Sequence, residues 1–319
     1  MNRKKLIAFS LSLAMTVVPV TPAAAAGAEQ NTEGLQNAVL DLGFENSLED
    51  SSGKGNNGTL SSGEAEYVDG VVGKGLKMNG SSYVNLGNST DLQPENLTLS
   101  FWIRPDSDMK GEELISWNKN EWYTDGWYLS SENDNTPLTL SVGPAKTNGQ
   151  PYRVSVSGKR SEFLPTGEWT HIAVTYDKDS KEICFYRNGV KCSTVTTYGI
   201  GGESTGVLGS DASMEKSIGY NGPKYKGAYL KASLDEYQLY NDVATQEEVI
   251  ALYEESGQTF DRKAVAQADL DKISIPETTQ GNLSLPATGE SGSVISWSSD
   301  NEAVVARSEE HTSELQSPH

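Results

Sequence analysis

Residues 38–256 are predicted to form an all-β domain, a jelly-roll sandwich of two antiparallel sheets followed by one short helix. Three observations predict it. From Ala38 to about Tyr240, short strand-like runs are separated by clusters of Gly, Asn, Asp and Ser. Inside the runs apolar residues alternate with polar ones: Leu97, Leu99, Phe101 and Ile103 interleave with Thr98, Ser100, Trp102 and Arg104. No βαβ alternation and no Gly-rich phosphate loop appears.

Residues 1–26 read as a secretory signal peptide. Arg3, Lys4 and Lys5 form a basic start, Leu6 to Val18 an apolar run, and Ala24-Ala25-Ala26 a small-residue cleavage site. The run is too short to span a bilayer, which takes about 20 residues. The expected location is therefore extracellular, with no membrane insertion. A polar leader, 27–37, follows. Ile172, Val174 and Tyr176 repeat the strand alternation, and Asp177 to Lys181 read as a hairpin turn.

The next hairpin carries the only two cysteines, Cys184 and Cys192, on either side of Tyr186-Arg187-Asn188-Gly189-Val190. A three-residue loop, Arg187-Asn188-Gly189, pairs Tyr186 with Val190 and brings the cysteines to one face, where export permits a disulfide. A two-residue Asn188-Gly189 turn pairs Cys184 with Ser193 and sends the thiols to opposite faces. The disulfide expectation rests on the first register. In the last strand, Leu230, Ala232 and Leu234 keep one phase and Tyr237 and Leu239 the other. A bulge or an inward carboxylate is expected at Asp235-Glu236. Thr245 and Glu248 spell a capping box before Val249, Ile250 and Tyr253, and Gly257 is the expected stop.

Beyond a polar linker, 257–267, residues 268–306 hold three strand-like pieces: Ile273-Ser274-Ile275, Leu283-Ser284-Leu285 and Ser293 to Asp300. Trp297 is a candidate for burial. So short a segment cannot close a sandwich of its own. Residues 307–319 lack periodicity and resemble a translated sequencing adapter. The expectation is a parent chain that continues past Ala306 into C-terminal domains missing here.

Charge narrows the partners. The formal charge of -19 becomes -22 once Arg3, Lys4 and Lys5 leave. So acidic a surface repels phosphate backbones and anionic lipid, which disfavours nucleic acid. Catalysis is limited by inventory. Of three histidines, His311 and His319 lie in the tail, and His171 sits inside a predicted strand. A Ser-His-Asp triad or a histidine zinc site needs more. Gly202-Glu203-Ser204-Thr205-Gly206 spells a nucleophile elbow, but no strand leads in and no helix leads out. No catalytic residue is assigned.

Sugar binding is better supported. Sugar rings present C–H faces to aromatic rings, and their hydroxyls seek Asn, Asp and backbone groups. Trp117, Trp122, Tyr123 and Trp127 fall within twelve polar-rich residues, and Tyr220, Asn221 and Tyr225 supply a second group. Trp127 and Tyr128 fit a strand, and at least one of them suits the core.

Residues 38–256 resemble the laminin-G-like, concanavalin A-like jelly roll of secreted bacterial proteins. The resemblance runs through Leu42-Gly43-Phe44-Glu45, Asp50-Ser51-Ser52-Gly53, Asn56-Asn57-Gly58-Thr59, Leu99-Ser100-Phe101-Trp102-Ile103, Glu168-Trp169-Thr170-His171 and Leu234-Asp235-Glu236. Residues 269–306 resemble the first half of an atrophied bacterial immunoglobulin-like domain. The resemblance implies a non-catalytic carbohydrate-binding module attached to a glycoside hydrolase acting on arabinan or xylan side chains. It also implies a structural Ca²⁺ on Glu45, Asp50, Asn57 and Asp235. Two other readings are a spacer or adhesive module that binds no sugar, and a glycosidase on the concanavalin-like fold itself.

Overall fold

The structure, a computed structural model, describes residues 13–18, 35, 38–106, 113–119, 126–144, 151–198, 215–220, 229–275 and 284–299. The chain divides into two compact units, Pro22–Asp261 and a smaller one made of Met1–Thr21 with Arg262–His319.

The larger unit is a sandwich of two antiparallel sheets. Across the first, the strands run Val190–Lys191, Ile183–Arg187, Thr170–Tyr176, Leu97–Pro105, Lys231–Tyr240, Lys74–Asn79 and Glu66–Asp69. Ala38–Leu42 also pairs with Lys231–Tyr240. Across the second they run Thr194–Tyr198, Pro151–Val156, Thr139–Pro144, Gly126–Ser131, Glu113–Lys119, Ser217–Ile218, Val84–Asn85 and Thr59–Leu60. The core lies between the inner faces. Leu97, Leu99, Phe101 and Ile103 meet Trp127, Leu129, Leu140 and Val154 in one continuous apolar cluster. This is the alternation read from the sequence.

The other face of Leu97–Pro105 is also buried, where the alternation alone predicts a half-buried strand. The helix Gln246–Glu255 covers that region. Trp102 stacks on Tyr253 with centroids 5.6 Å apart and donates its Nε1–H to Ser256 Oγ at 2.9 Å. The helix begins at the predicted capping box. Thr245 Oγ1 accepts from Glu248 N, and Glu248 Oε2 accepts from Thr245 N at 2.7 Å.

The cysteine hairpin takes the two-residue register. Arg187 pairs with Val190 and Tyr186 with Lys191, across Asn188 (φ 49°) and Gly189 (φ 80°). Two successive left-handed residues make a type I′ turn, whose twist matches the strands. Cys192 N then donates to Phe185 O at 2.8 Å, on the core side, while Cys184 packs on the opposite face with Ala173 and Val249. Both thiols are free, and the predicted Cys184–Cys192 disulfide is corrected. Gly189 is also where a Cβ would meet the Phe260 ring at 2.8 Å.

At Asp235-Glu236 both sequence expectations hold together. The register with Leu97–Pro105 shifts between Asp235 and Gln238, Glu236 has φ 46°, and Asp235 is fully buried.

In the smaller unit, Leu13–Val18 pairs antiparallel with Val294–Ser299, from Leu13 opposite Ser299 to Val18 opposite Val294. Strand pairing suits the β-branched Thr16, Val17 and Val18. Of the three strand-like pieces expected after residue 268, Val294–Ser299 alone is a strand among the described residues. Leu283 lies outside them, and Trp297 is half exposed, its Nε1–H donating to Pro286 O at 2.7 Å. The expected linker is partly a helix, Arg262–Asp271, built from Arg, Lys, Ala and Gln, which favour helices. Among the described residues no helix is long and apolar enough to cross a membrane.

Candidate functional site

Three tyrosines meet at the end of Ser217–Ile218. Val84 pairs with Ile218 in the core, and Tyr83, one residue earlier, is half-buried and packs against that same cluster. Gly219, at φ 88°, turns the chain out of the sheet, and Tyr220 follows. Leu230 N donates to Gly219 O at 2.9 Å, which brings Tyr229 beside Tyr220.

The Tyr220 and Tyr229 rings stack at 4.2 Å and 8°, Tyr83 lies 5.2 Å from Tyr220, and Tyr83 and Tyr229 are 6.5 Å apart. These separations describe a triangle rather than a column, so the rings do not cover one another completely. All three are half-buried. Their phenols are pushed up where a shift is resolved, Tyr83 and Tyr220 alike, by burial first and then by neighbouring groups that include Glu215 beside Tyr83. The platform is neutral and combines aromatic faces with hydroxyls, as a sugar ring requires.

A polar and aromatic row leads from it across the second sheet. In register, Asn85 lies opposite Ser217, Ser217 opposite Trp117, Trp117 opposite Tyr128, Tyr128 opposite Ser141, and Ser141 opposite Arg153. Trp117 and Tyr128 stack at 5.2 Å as a cluster separate from the main core. Ser217 Oγ donates to Tyr220 O at 2.5 Å, tying the row to the platform.

Of the predicted sugar-binding residues, Tyr220 is in the platform and Trp117 is buried in the row. Trp127 is at 0% exposure between the sheets, which corrects its assignment to a sugar site: its strand phase points it inward with Leu129. Trp122, Tyr123, Asn221 and Tyr225 lie outside the described residues, as does Gly202 to Gly206. Tyr83 and Tyr229 were missed. The signal available was position, since each immediately precedes a core residue, Val84 or Leu230, at or just before the start of a strand.

The predicted calcium ligands do not converge. Asp50 Oδ1 accepts from Asp41 N (2.9 Å) and Ser52 N (3.0 Å), and Oδ2 accepts from Ser52 Oγ and Asn56 N (2.8 Å each). Asn57 Oδ1 accepts from Asp50 N at 2.8 Å. These two residues organise a turn. Glu45 and Asp235 do come together, around the loop 70–74. Val71 and Val72 N–H donate to Asp235 Oδ2 at 2.7 and 3.0 Å, and Lys74 N donates to Glu45 Oε1 at 3.0 Å. Gly70 is required here, because a Cβ would sit 2.4 Å from Asp235 Oδ2 and 2.9 Å from backbone. Burial, with Glu45 adding, pushes Asp235 up to about 6. Burial, then Asp235 and neighbouring acids, pushes Glu236 up to about 7. Among the described residues no three His, Cys, Asp or Glu side chains are placed to hold a metal ion.

The His171 ring lies 2.9 Å from Ser100 Oγ through Nε2, which bears out its reading as a hydrogen-bonded strand residue. Its Nδ1 has no hydrogen-bond partner among the described residues. Burial lowers its pKa to about 3. With no carboxylate on Nδ1 this pair is not a triad.

Comparison with known proteins gives a consistent fold. The binding domain of Paraclostridial Mosquitocidal Protein 1 superposes with a TM-score of 0.53 at 23% identity, over 69% of this chain and 52% of that one. A botulinum neurotoxin type C structure, whose cell entry depends on two ganglioside molecules, gives a TM-score of 0.53 at 17% identity, over 69% and 51%. The chain thus spans about half the length of these toxin domains, and the likeness is one of fold. Domain 4 of AbnA, a GH43 extracellular arabinanase from Geobacillus stearothermophilus solved with arabinotriose, gives 0.48 at 22% identity, over 69% and 99%. No curated protein matches the sequence. Residues 78–250, more than half of the chain, match the model of the concanavalin A-like lectin/glucanases superfamily, and the protein belongs to that superfamily.

Proposed function

We propose that this protein is a secreted, non-catalytic carbohydrate-binding module of a larger glycan-degrading enzyme, and that it takes neutral polysaccharide of the arabinan or xylan type. The observation that carries this reading is the half-buried triangle of Tyr83, Tyr220 and Tyr229, with Ser217 tied to Tyr220 O and Glu215 beside Tyr83. The acidic surface adds discrimination, since it repels uronate and sulfate chains. Export is supported by the basic start, the apolar run and the alanines before residue 27. In affinity gels the protein is expected to be retarded by arabinan or arabinoxylan and to release no reducing sugar from either. Sugar release would overturn the non-catalytic reading. Passage through every neutral polysaccharide without retardation would overturn the binding reading.

Calcium is proposed at a reduced site, Glu45 with Asp235, with backbone carbonyls and water completing the oxygen shell that this ion prefers. Supporting it are two adjacent carboxylates with no cationic side chain paired to either among the described residues, and a glycine loop that admits them. When bound, the ion would neutralise this charge and tie the segment after Ala38–Leu42 to Lys231–Tyr240. Saturating Ca²⁺ is expected to raise the melting temperature by about 5 °C over EDTA. Glu45→Gln removes most of that rise. Equal melting in Ca²⁺ and EDTA would contradict the site.

A further inference from the structure

A cavity of about 80 Å³ lies between the first sheet and the helix Gln246–Glu255, lined by Trp102, His171, Glu236, Gln238, Glu255 and Ser256 among others. It is separate from the tyrosine platform and adjoins the Glu45–Asp235 pair through Val72, whose N–H donates to Asp235 Oδ2. Glu236 is half-buried and Glu255 exposed, so the cavity is entered past two carboxylates. No lysine or arginine is paired with either among the described residues. Deeper in, His171 is 1% exposed and its Nδ1 has no hydrogen-bond partner among the described residues. The buried imidazole is neutral at physiological pH. A role for Nδ1 as a lone-pair acceptor takes the tautomer in which Nε2 carries the proton toward Ser100 Oγ, 2.9 Å away.

The bulge fixes this arrangement. Glu236 holds a left-handed φ of 46°, unusual for a residue with a side chain, where the register shifts between Asp235 and Gln238. Trp102 Nε1–H is committed to Ser256 Oγ, so that wall offers the cavity no donor from the indole. The chemistry presented is acceptor-rich, with the exposed Glu255 carboxylate at the mouth, the half-buried Glu236 beside it and an imidazole nitrogen behind. Its volume suits a small head group.

We propose that this cavity binds a protonated primary amine, its N–H groups shared among Glu236, Glu255, the Gln238 carbonyl and His171 Nδ1. The ammonium group can belong to an amino sugar or to a lysine side chain, and both present the same –NH₃⁺ to these acceptors.

The test titrates the full chain in EDTA with methylammonium chloride, following the fluorescence change that Trp102→Phe abolishes. Potassium and tetramethylammonium chloride at equal ionic strength are the controls. A saturable response to methylammonium in the millimolar range is expected, with none from tetramethylammonium, which carries no N–H. Glu236→Gln and the exposed Glu255→Gln are each expected to weaken it about tenfold. Parallel titrations with glucosamine and Nα-acetyllysine amide show which source binds more tightly, and tighter binding by either supports the site. An unsaturable response, an equal response to potassium, or unchanged affinity in both glutamate variants would overturn the proposal.

Discussion

Trp127→Ala is expected to destabilise the larger unit by about 3–5 kcal/mol. The side chain is fully buried against Leu129, Leu140 and Phe101 between the sheets, and removing it leaves a cavity that rigid strands cannot close. Trp127→Phe keeps most of that volume and also removes an indole N–H that has no partner, so it is expected to cost far less, under about 1.5 kcal/mol. Urea unfolding of both variants measures the difference. Near-native stability in Trp127→Ala, together with lost glycan binding, would place this tryptophan at a ligand surface instead.

Stability in EDTA is expected to fall as pH rises from about 4.5 to 8. The sign follows from Asp235 and Glu236, held at about 6 and about 7 when folded, well above their ordinary values of 3.8 and 4.5. The folded state grips both protons more tightly than the unfolded chain does. The stability this contributes is complete below about pH 4 and is lost as pH climbs through the folded values. Allowing for solvent screening of the partly exposed Glu236, the loss is about 2 kcal/mol. Asp50 and Asp177, held low by their hydrogen bonds, act in the opposite sense, but only in more acidic solution. The urea midpoint at the two pH values reads the effect. Glu236→Gln is expected to flatten it, which separates this cluster from general repulsion on an acidic surface. A midpoint that rises with pH would contradict it.

What the sequence made legible was whatever depends on neighbours along the chain. The alternation at Leu97–Ile103, the capping box at Thr245 and Glu248, and the phase slip at Asp235 each involve a few consecutive residues, and each is present. The hairpin at Asn188-Gly189 was legible too. That dipeptide is a strong two-residue turn signal, whereas only a three-residue loop would align the two cysteines. Asp50 and Asn57 are expected on a metal only from the resemblance, and in the fold they hold a turn through local hydrogen bonds. The tyrosine platform was only partly legible. Tyr83, Tyr220 and Tyr229 come from distant segments and meet through the pairing of Val84 with Ile218 and the bond from Leu230 to Gly219. Composition drew attention to the tryptophan-rich segment because clustering in sequence is visible, whereas clustering across strands is not.

The most direct measurement compares two variants in a gel containing whichever neutral polysaccharide retards the unmodified protein. Tyr220→Ala removes the ring that touches both other tyrosines, and Trp122→Ala tests the tryptophan-rich segment instead. Loss of retardation by at least about tenfold in Tyr220→Ala, with its fold intact by circular dichroism, is the predicted result. Full retardation of Tyr220→Ala, with loss in Trp122→Ala, would show that the glycan is held elsewhere.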